Sequence, residues 1–109
     1  MIKKIKQGSI IKVNLNPTKG HEQAGYRPVV VISNEQYMKY TNLVQVCPIS
    51  NSDNDFPLHI PLDQQTKTTG YILCEHIKTL DINARGYQYC EELPNEILKQ
   101  VIDYVKACY

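Results

Sequence analysis

Residues 16–32 read NPTKGHEQAGYRPVVVI and join a polar loop directly to an apolar strand. One proline and two glycines interrupt the first part, which is typical of a loop. The run VVVI that follows is apolar at every position, which indicates a strand buried on both faces. Arg27 stands at the junction, and the only other arginine in the chain is Arg85. Because rigid strand ends position side chains while loops admit ligands, this junction is predicted to be the functional edge.

The sequence on both sides of this junction predicts further short strands. Residues 9–15 alternate, with Ile11 and Val13 on one face and Ile10 and Lys12 on the other, so they predict a half-buried strand. Residues 34–42 indicate a short turn or helix, and the segment after residue 74 indicates a helical or irregular piece through residue 81. Four more strands are predicted downstream, at residues 43–49, 56–62, 71–74 and 85–90.

The C-terminal segment predicts an amphipathic helix. Pro94 suits a first helical position. Apolar residues then recur at steps of three and four, at Ile97, Leu98, Val101, Ile102 and Val105. Five or six short strands with one terminal helix predict a mainly β, α+β protein. The expected solution is a small half-open antiparallel barrel, with the helix packed on the sheet. A chain of 109 residues fits a single domain spanning 1–109.

Composition limits the classes of function. The net charge is only +1, so a nucleic-acid-binding role requires a local basic patch rather than a basic protein overall. The four cysteines form no C-x-x-C pair, and the three histidines are not spaced as zinc ligands. No signal peptide or membrane span is predicted. We expect a reduced cytoplasmic protein without a metal site, and a disulfide framework remains the alternative.

Four segments resemble one protein family in the same order. They are NPTKGHEQAGYRP at 16–28, VCPIS at 46–50, TTGYILCEHIKTLDINARG at 68–86 and LPNEILKQVIDYV at 93–105. Together they are similar to the MazF and PemK (Kid) toxins, the ribonuclease partners of type II toxin–antitoxin pairs.

The resemblance implies an SH3-like barrel core, a homodimer and no cofactor. It implies sequence-specific, metal-independent cleavage of single-stranded RNA, including mRNA, which inhibits translation and growth. Attack by the ribose 2′-hydroxyl would leave a 2′,3′-cyclic phosphate and a 5′-hydroxyl. A cognate antitoxin with a disordered C-terminal segment is the implied partner.

Cleavage of this kind needs a group that accepts a proton, a group that donates one, and donors that stabilise the negatively charged phosphorane. Arg27 matches a catalytic arginine of the family, and its planar fork suits two phosphate oxygens at once. Ser50 matches a catalytic threonine and retains the hydroxyl, although a serine in the run SNSDND also fits an ordinary turn.

Three further residues are candidates for proton transfer. Glu22 and His21 match family residues in the loop, although both also fit exposed loop positions. Glu75 stands where the Kid branch has an aspartate proposed as the general base. Leu73 stands where that branch has an arginine proposed as the acid, so the acid role would pass to Arg27 or His21.

RNA binding needs phosphate partners and surfaces on which bases stack. Tyr26 beside Arg27 is predicted to stack an unpaired base, and His59 is predicted to face away from the core, where it can meet RNA. The full set of predicted RNA-binding residues is Lys19, Gln23, Tyr26, Asn51, His59, Lys78 and Arg85.

Two other functions remain open. One is a CcdB-like, non-enzymatic poison of DNA gyrase on the same type of barrel, which would depend on C-terminal residues. The other is a binding module whose polar loop clamps a ligand without turnover.

Overall fold

A computed structural model describes residues 5–14, 26–51 and 59–108. Within these ranges seven strands and three helices follow one another. They are β1 (Ser9–Asn14), β2 (Tyr26–Val31), α1 (Glu35–Thr41), β3 (Val44–Ser50), β4 (His59–Pro61), β5 (Tyr71–Leu73), β6 (Lys78–Leu80), α2 (Ile82–Arg85), β7 (Tyr87–Glu92) and α3 (Asn95–Cys108).

The strands form one antiparallel sheet in the order β4, β5, β3, β2, β1, β7, with β6 also paired to β3. One edge of β3 pairs with β2, and its other edge pairs with β6 at one end and β5 at the other. Among the described strands, β4 and β7 end this order, so the sheet is open. The predicted fold class, a mainly β, half-open antiparallel barrel with a C-terminal helix, is confirmed, and the barrel is not closed.

Between β5 and β6 the chain makes a bulge. Moving three residues along β3, from Ile49 to Val46, crosses six residues on the partner side, from Ile72 to Lys78. The extra residues lie in the segment 74–77, which carries Glu75. Bulges of this kind redirect side chains and are common beside active sites. We expected a helical or irregular segment here and missed β6, since this three-residue strand has only one buried side chain.

Each face of the sheet carries its own hydrophobic cluster. On the face that we call the α3 face, Ile10, Val30, Cys47 and Ile49 lie beneath residues of α3 such as Val101. The apolar stripe of the terminal helix therefore packs on the sheet, as predicted. Because α3 covers this face, Ile10 is fully buried, and β1 is more buried than its alternation indicated.

On the opposite face, which we call the α1 face, Met38 of α1 and Ile82 of α2 cover the sheet. The strand side chains beneath them are Ile11, Val13, Val29, Val31, Val44 and Val46. Because α3 covers one face and the short helices cover the other, the run Val29–Val31 is apolar at every residue, as a strand buried on both faces requires.

Two strand boundaries differ from expectation. Residues 85–90 were predicted as a strand, but Arg85 ends the short helix α2 and β7 begins at Tyr87. The Asp81 carboxylate accepts a hydrogen bond from the Ala84 amide and caps this helix, a local signal that we overlooked. The predicted strand 56–62 is present as β4, His59–Pro61, and residues 56–58 lie outside the described ranges.

Candidate nucleic-acid interface and active site

Arg27 and Ser50 lie at the ends of two adjacent strands, on the same face of the sheet. The paired stretch of β2 and β3 ends where Val29 opposes Pro48. Continued at that register for two residues, the strands bring Arg27 opposite Ser50. Strand alternation then assigns both side chains to the α1 face. Directly opposed residues have Cα atoms roughly 4.5–5.5 Å apart, which allows both side chains to hold one phosphate group.

Tyr26 and Asn51 lie beside this pair but on the α3 face. Tyr26 opposes Asn14 of β1, and its side chain is directed away from the face that carries Arg27. It is 56% exposed, one of the most exposed large apolar side chains that the structure describes. The Asn51 side-chain oxygen accepts a hydrogen bond from the Thr69 hydroxyl at 3.2 Å. A nucleotide at this strand end can therefore meet different side chains on the two faces.

Glu75 lies in the bulge, where two imidazoles approach the same carboxylate oxygen. His59 Nε2 lies 2.6 Å from Glu75 Oε2, and His76 Nε2 lies 3.3 Å from the same oxygen. Partial burial works to raise the pKa of Glu75. The hydrogen bond with His59, a backbone hydrogen bond and the charges of the two imidazoles outweigh burial, so the pKa is lowered. Glu75 is therefore held as a carboxylate at neutral pH.

The bulge is offset from the strand ends. Its residues lie opposite the part of β3 between Val46 and Pro48, two to four residues from Ser50. At about 3.3 Å per residue, this offset is roughly 7–13 Å along the strand. The register therefore offsets the backbone of the bulge from that of Ser50.

His59 differs from expectation in its exposure. It lies on the face opposite the buried Ile60, as alternation predicts, but its side chain is only 4% exposed because Glu75 lies against it. Little of His59 remains for a direct contact with RNA. His76, which we did not single out, is 59% exposed and is the accessible imidazole of the group. Its position directly after Glu75 was the available sequence signal.

Lys78 and Arg85, two basic residues predicted to bind RNA, have different surroundings. Lys78 is exposed at the start of β6, opposite Val46. Arg85 donates a hydrogen bond from its guanidinium to the backbone carbonyl oxygen of Asn14, so part of its fork stabilises the end of β1. Four predicted loop residues lie outside the described ranges: Lys19, His21, Glu22 and Gln23.

Glu91 of β7 anchors the loop that follows β4. Its carboxylate accepts hydrogen bonds from the amides of Lys67 and Thr68, at 3.2 and 2.9 Å, and from the Thr68 hydroxyl at 2.8 Å. Partial burial works to raise the pKa of Glu91, but these hydrogen bonds and the charge of Lys67 outweigh it and lower the pKa. Sequence reasoning missed this role, since the contact joins residues more than 20 positions apart.

We expect replacement of Glu91 with glutamine to destabilise the protein by about 1–2 kcal/mol at neutral pH, because charged hydrogen bonds are lost. Since the folded state lowers the pKa of Glu91, its contribution is present above the ordinary value of 4.5 and is lost as the pH falls below it. Urea unfolding of both proteins at about pH 7 and about pH 3.5 measures this. A stability difference that is equally large at both pH values would contradict the assignment.

The described residues supply no evident metal site or membrane span. No group of three or more His, Cys, Asp or Glu side chains among them is arranged to hold a metal ion. None of the described helices is both long enough and apolar enough to span a membrane.

Comparisons with known proteins agree on one family. Residues 6–108 match the family model described as PemK-like, MazF-like toxin of type II toxin–antitoxin system. The chain is 33% identical over 102 residues to Endoribonuclease PemK from Escherichia coli, covering 90% of this chain and 77% of that protein. It is 35% identical over 79 residues to Endoribonuclease toxin MazF from E. coli K12, covering 72% and 70%.

A solved structure gives the same result at the level of the fold. A chain in the crystal structure of MazE–MazF (Form-II) from Deinococcus radiodurans superposes with a TM-score of 0.84 at 29% identity, covering 94% of this chain and 93% of that one. The fold is thus that of the MazF-like toxins. The chain belongs to the family of PemK-like, MazF-like toxins of type II toxin–antitoxin systems.

Proposed function

We propose that this chain is a metal-independent endoribonuclease that cleaves single-stranded RNA at specific sequences, and that it thereby inhibits translation and growth. Its relatives PemK and MazF from E. coli are named endoribonucleases. The observation that carries the proposal is the pairing of Val29 with Pro48. Continued for two residues, this register would bring Arg27 opposite Ser50 at the strand end.

In the proposed reaction the ribose 2′-hydroxyl attacks the adjacent phosphorus. The bond to the 5′-oxygen breaks, which leaves a 2′,3′-cyclic phosphate and a 5′-hydroxyl. The Arg27 guanidinium binds two non-bridging oxygens, and the Ser50 hydroxyl donates a hydrogen bond to the same phosphate. Fixed donors of this kind stabilise the negative charge that develops in the transition state more than that of the substrate.

Proton transfer is assigned to loop residues rather than to the bulge. The offset of roughly 7–13 Å between Ser50 and the bulge favours contact of Glu75 with a neighbouring nucleotide. Its lowered pKa also makes Glu75 a weak base. We therefore assign the acid and base roles to His21 and Glu22, and RNA binding to the exposed His76 and Lys78.

The proposed partners follow from the relatives. The D. radiodurans structure is named as a complex of MazE and MazF. We propose that a cognate antitoxin with a disordered C-terminal segment binds and inhibits this chain, that the chain acts as a homodimer, and that it works in the cytoplasm. We also propose that residues 1–109 form a single toxin domain.

The proposal is tested with purified protein, a long RNA and excess EDTA, followed by sequencing and chemical analysis of the cut ends. We expect cleavage at a recurring sequence, with 5′-hydroxyl and 2′,3′-cyclic phosphate ends. A 2′-deoxy substitution at the cut nucleotide should abolish cleavage because it removes the nucleophile. Cleavage that requires a divalent metal ion would overturn the mechanism, and growth arrest without RNA cleavage would favour the gyrase-poison alternative.

A further inference from the structure

We propose that a pocket on the α3 face, beside the strand end that carries Arg27, binds one unpaired nucleobase of the RNA together with its phosphate. This inference rests on the proposed endoribonuclease function and concerns how that enzyme selects its substrate. The pocket has a volume of about 380 Å³. It lies on the opposite side of the sheet from the pair formed by Arg27 and Ser50.

The sheet supplies one wall of the pocket. Lys12 of β1 and Pro28 of β2 are directly opposed in the sheet and both line the pocket. Tyr26 lies two residues before Pro28, on the same face. A Cβ atom built on Gly86 would lie 3.8 Å from the Tyr26 hydroxyl oxygen, so the tyrosine ring extends across β1 toward β7. This places an exposed aromatic ring at the pocket, where a base can stack on it.

The loop formed by residues 67–69 supplies the other wall, and it is held at two points. Glu91 accepts three hydrogen bonds from Lys67 and Thr68. The Thr69 hydroxyl donates to Asn51, the residue that follows β3. Because β7 and β3 both hold this loop, the pocket is largely formed before a ligand binds, which lowers the entropy lost on binding.

The charges of the pocket suit a nucleotide. Lys12 and Lys67 contribute two positive charges, and both residues are exposed. Glu91 contributes one negative charge, but its oxygens already accept hydrogen bonds from the loop. The lysines are therefore the groups available to a phosphate, and the side-chain amide of Asn51 can donate to the edge of a base.

The geometry also relates this pocket to the reaction. Tyr26 and Arg27 are consecutive residues with side chains on opposite faces of the same strand end. An RNA strand that crosses this end can present a phosphate to Arg27 while a neighbouring base enters the pocket. The pocket is therefore a specificity subsite, separate from the groups that contact the reacting phosphate.

The first test compares Tyr26→Ala and Tyr26→Phe with the wild type in RNA cleavage. We expect Tyr26→Ala to raise KM about 10-fold or more with little change in kcat, because one base loses its stacking partner. The preference at one nucleotide position should also relax when cut ends are sequenced. Tyr26→Phe retains the ring and should behave like the wild type. Tyr40→Ala is the matched control, since Tyr40 is 79% exposed on α1 and does not line the pocket.

The second test measures binding independently of turnover. The probe is a short fluorescein-labelled 2′-O-methyl RNA of randomised sequence, which cannot be cleaved because its nucleophile is blocked. Fluorescence anisotropy as a function of salt should give a slope that is smaller by about 0.7 for each of Lys12→Ala and Lys67→Ala. Lys39→Ala on α1 should leave the slope unchanged.

These outcomes separate the two proposals. If the wild type cleaves RNA but Tyr26→Ala and the two lysine variants keep the wild-type KM, site preference and salt slope, the pocket is not a subsite. If the wild type does not cleave RNA, the proposed function fails, and the binding measurement still decides whether RNA occupies the pocket. Thermal unfolding of each variant confirms that the fold is retained.

Discussion

Replacement of Arg27 with lysine is expected to reduce RNA cleavage by about 100-fold or more while RNA binding changes much less. A guanidinium can donate two parallel hydrogen bonds to a phosphate, whereas an ammonium acts as a point charge. Loss of one preorganised donor to the transition state typically lowers kcat by about 100- to 1000-fold. The measurement is kcat on an RNA that carries the cut site, together with the affinity for its 2′-O-methyl form.

The chain offers a matched control for this prediction. Arg85 is the only other arginine, and its guanidinium donates to the Asn14 carbonyl oxygen rather than lying opposite Ser50. Arg85→Lys should therefore leave kcat nearly unchanged. Near-normal cleavage by Arg27→Lys would contradict two-point contact with the phosphate. Equal loss in both variants would instead indicate a general effect of guanidinium groups on the fold.

Replacement of Gly70 with alanine is expected to destabilise the protein by about 3 kcal/mol or more and to reduce cleavage as well. Gly70 has a φ of +124°, a conformation that side chains rarely permit, and an added Cβ would lie 2.7 Å from the Ser50 backbone oxygen. The Gly70 carbonyl oxygen also accepts a hydrogen bond from the Leu62 amide, so the backbone is held there. Either the turn or the end of β3 must shift.

Thermal and urea unfolding measure the destabilisation by Gly70→Ala. The variant Gly86→Ala separates its two causes, which are backbone strain and the close approach of the added Cβ atom. Gly86 also has a positive φ, of +81°, but an added Cβ would meet only the Tyr26 hydroxyl oxygen at 3.8 Å. That variant should lose roughly the 1–3 kcal/mol of backbone strain alone. If Gly70→Ala is no more destabilised than Gly86→Ala, the close approach of Gly70 to Ser50 does not contribute to stability.

Some of these predictions rest on residues close together in the sequence, and others rest on contacts between distant segments. Arg27 was a candidate from the sequence, because it stands where a polar loop meets a buried strand and because the surrounding motif resembles a known family. The contact between His59 and Glu75, by contrast, could not be predicted from the sequence. Alternation correctly assigned His59 to the face opposite Ile60, but the bulge that brings Glu75 against it depends on two separate pairings of β3.

The proposed RNA-binding residues divide in the same way into those selected from the sequence and those found only in the structure. Ser50, Tyr26 and Asn51 were selected from the sequence as candidates, and the structure adds which face each one occupies. No sequence pattern indicated a role for three other residues of the pocket, which are Lys12, Lys67 and Glu91. In the sequence each one looks like an ordinary charged surface residue. Only the contact between β7 and the loop after β4 brings the last two together.

The sequence alone was sufficient for features that depend on nearby residues. The period of the terminal helix and the apolar run Val29–Val31 both follow from residues within a few positions of one another. The tertiary structure decided which residues meet across strands and loops, including Val29 with Pro48 and Glu91 with Thr68. The reason is that strand register depends on hydrogen bonds and burial between distant segments, and a shift of one residue would move every side chain to the other face.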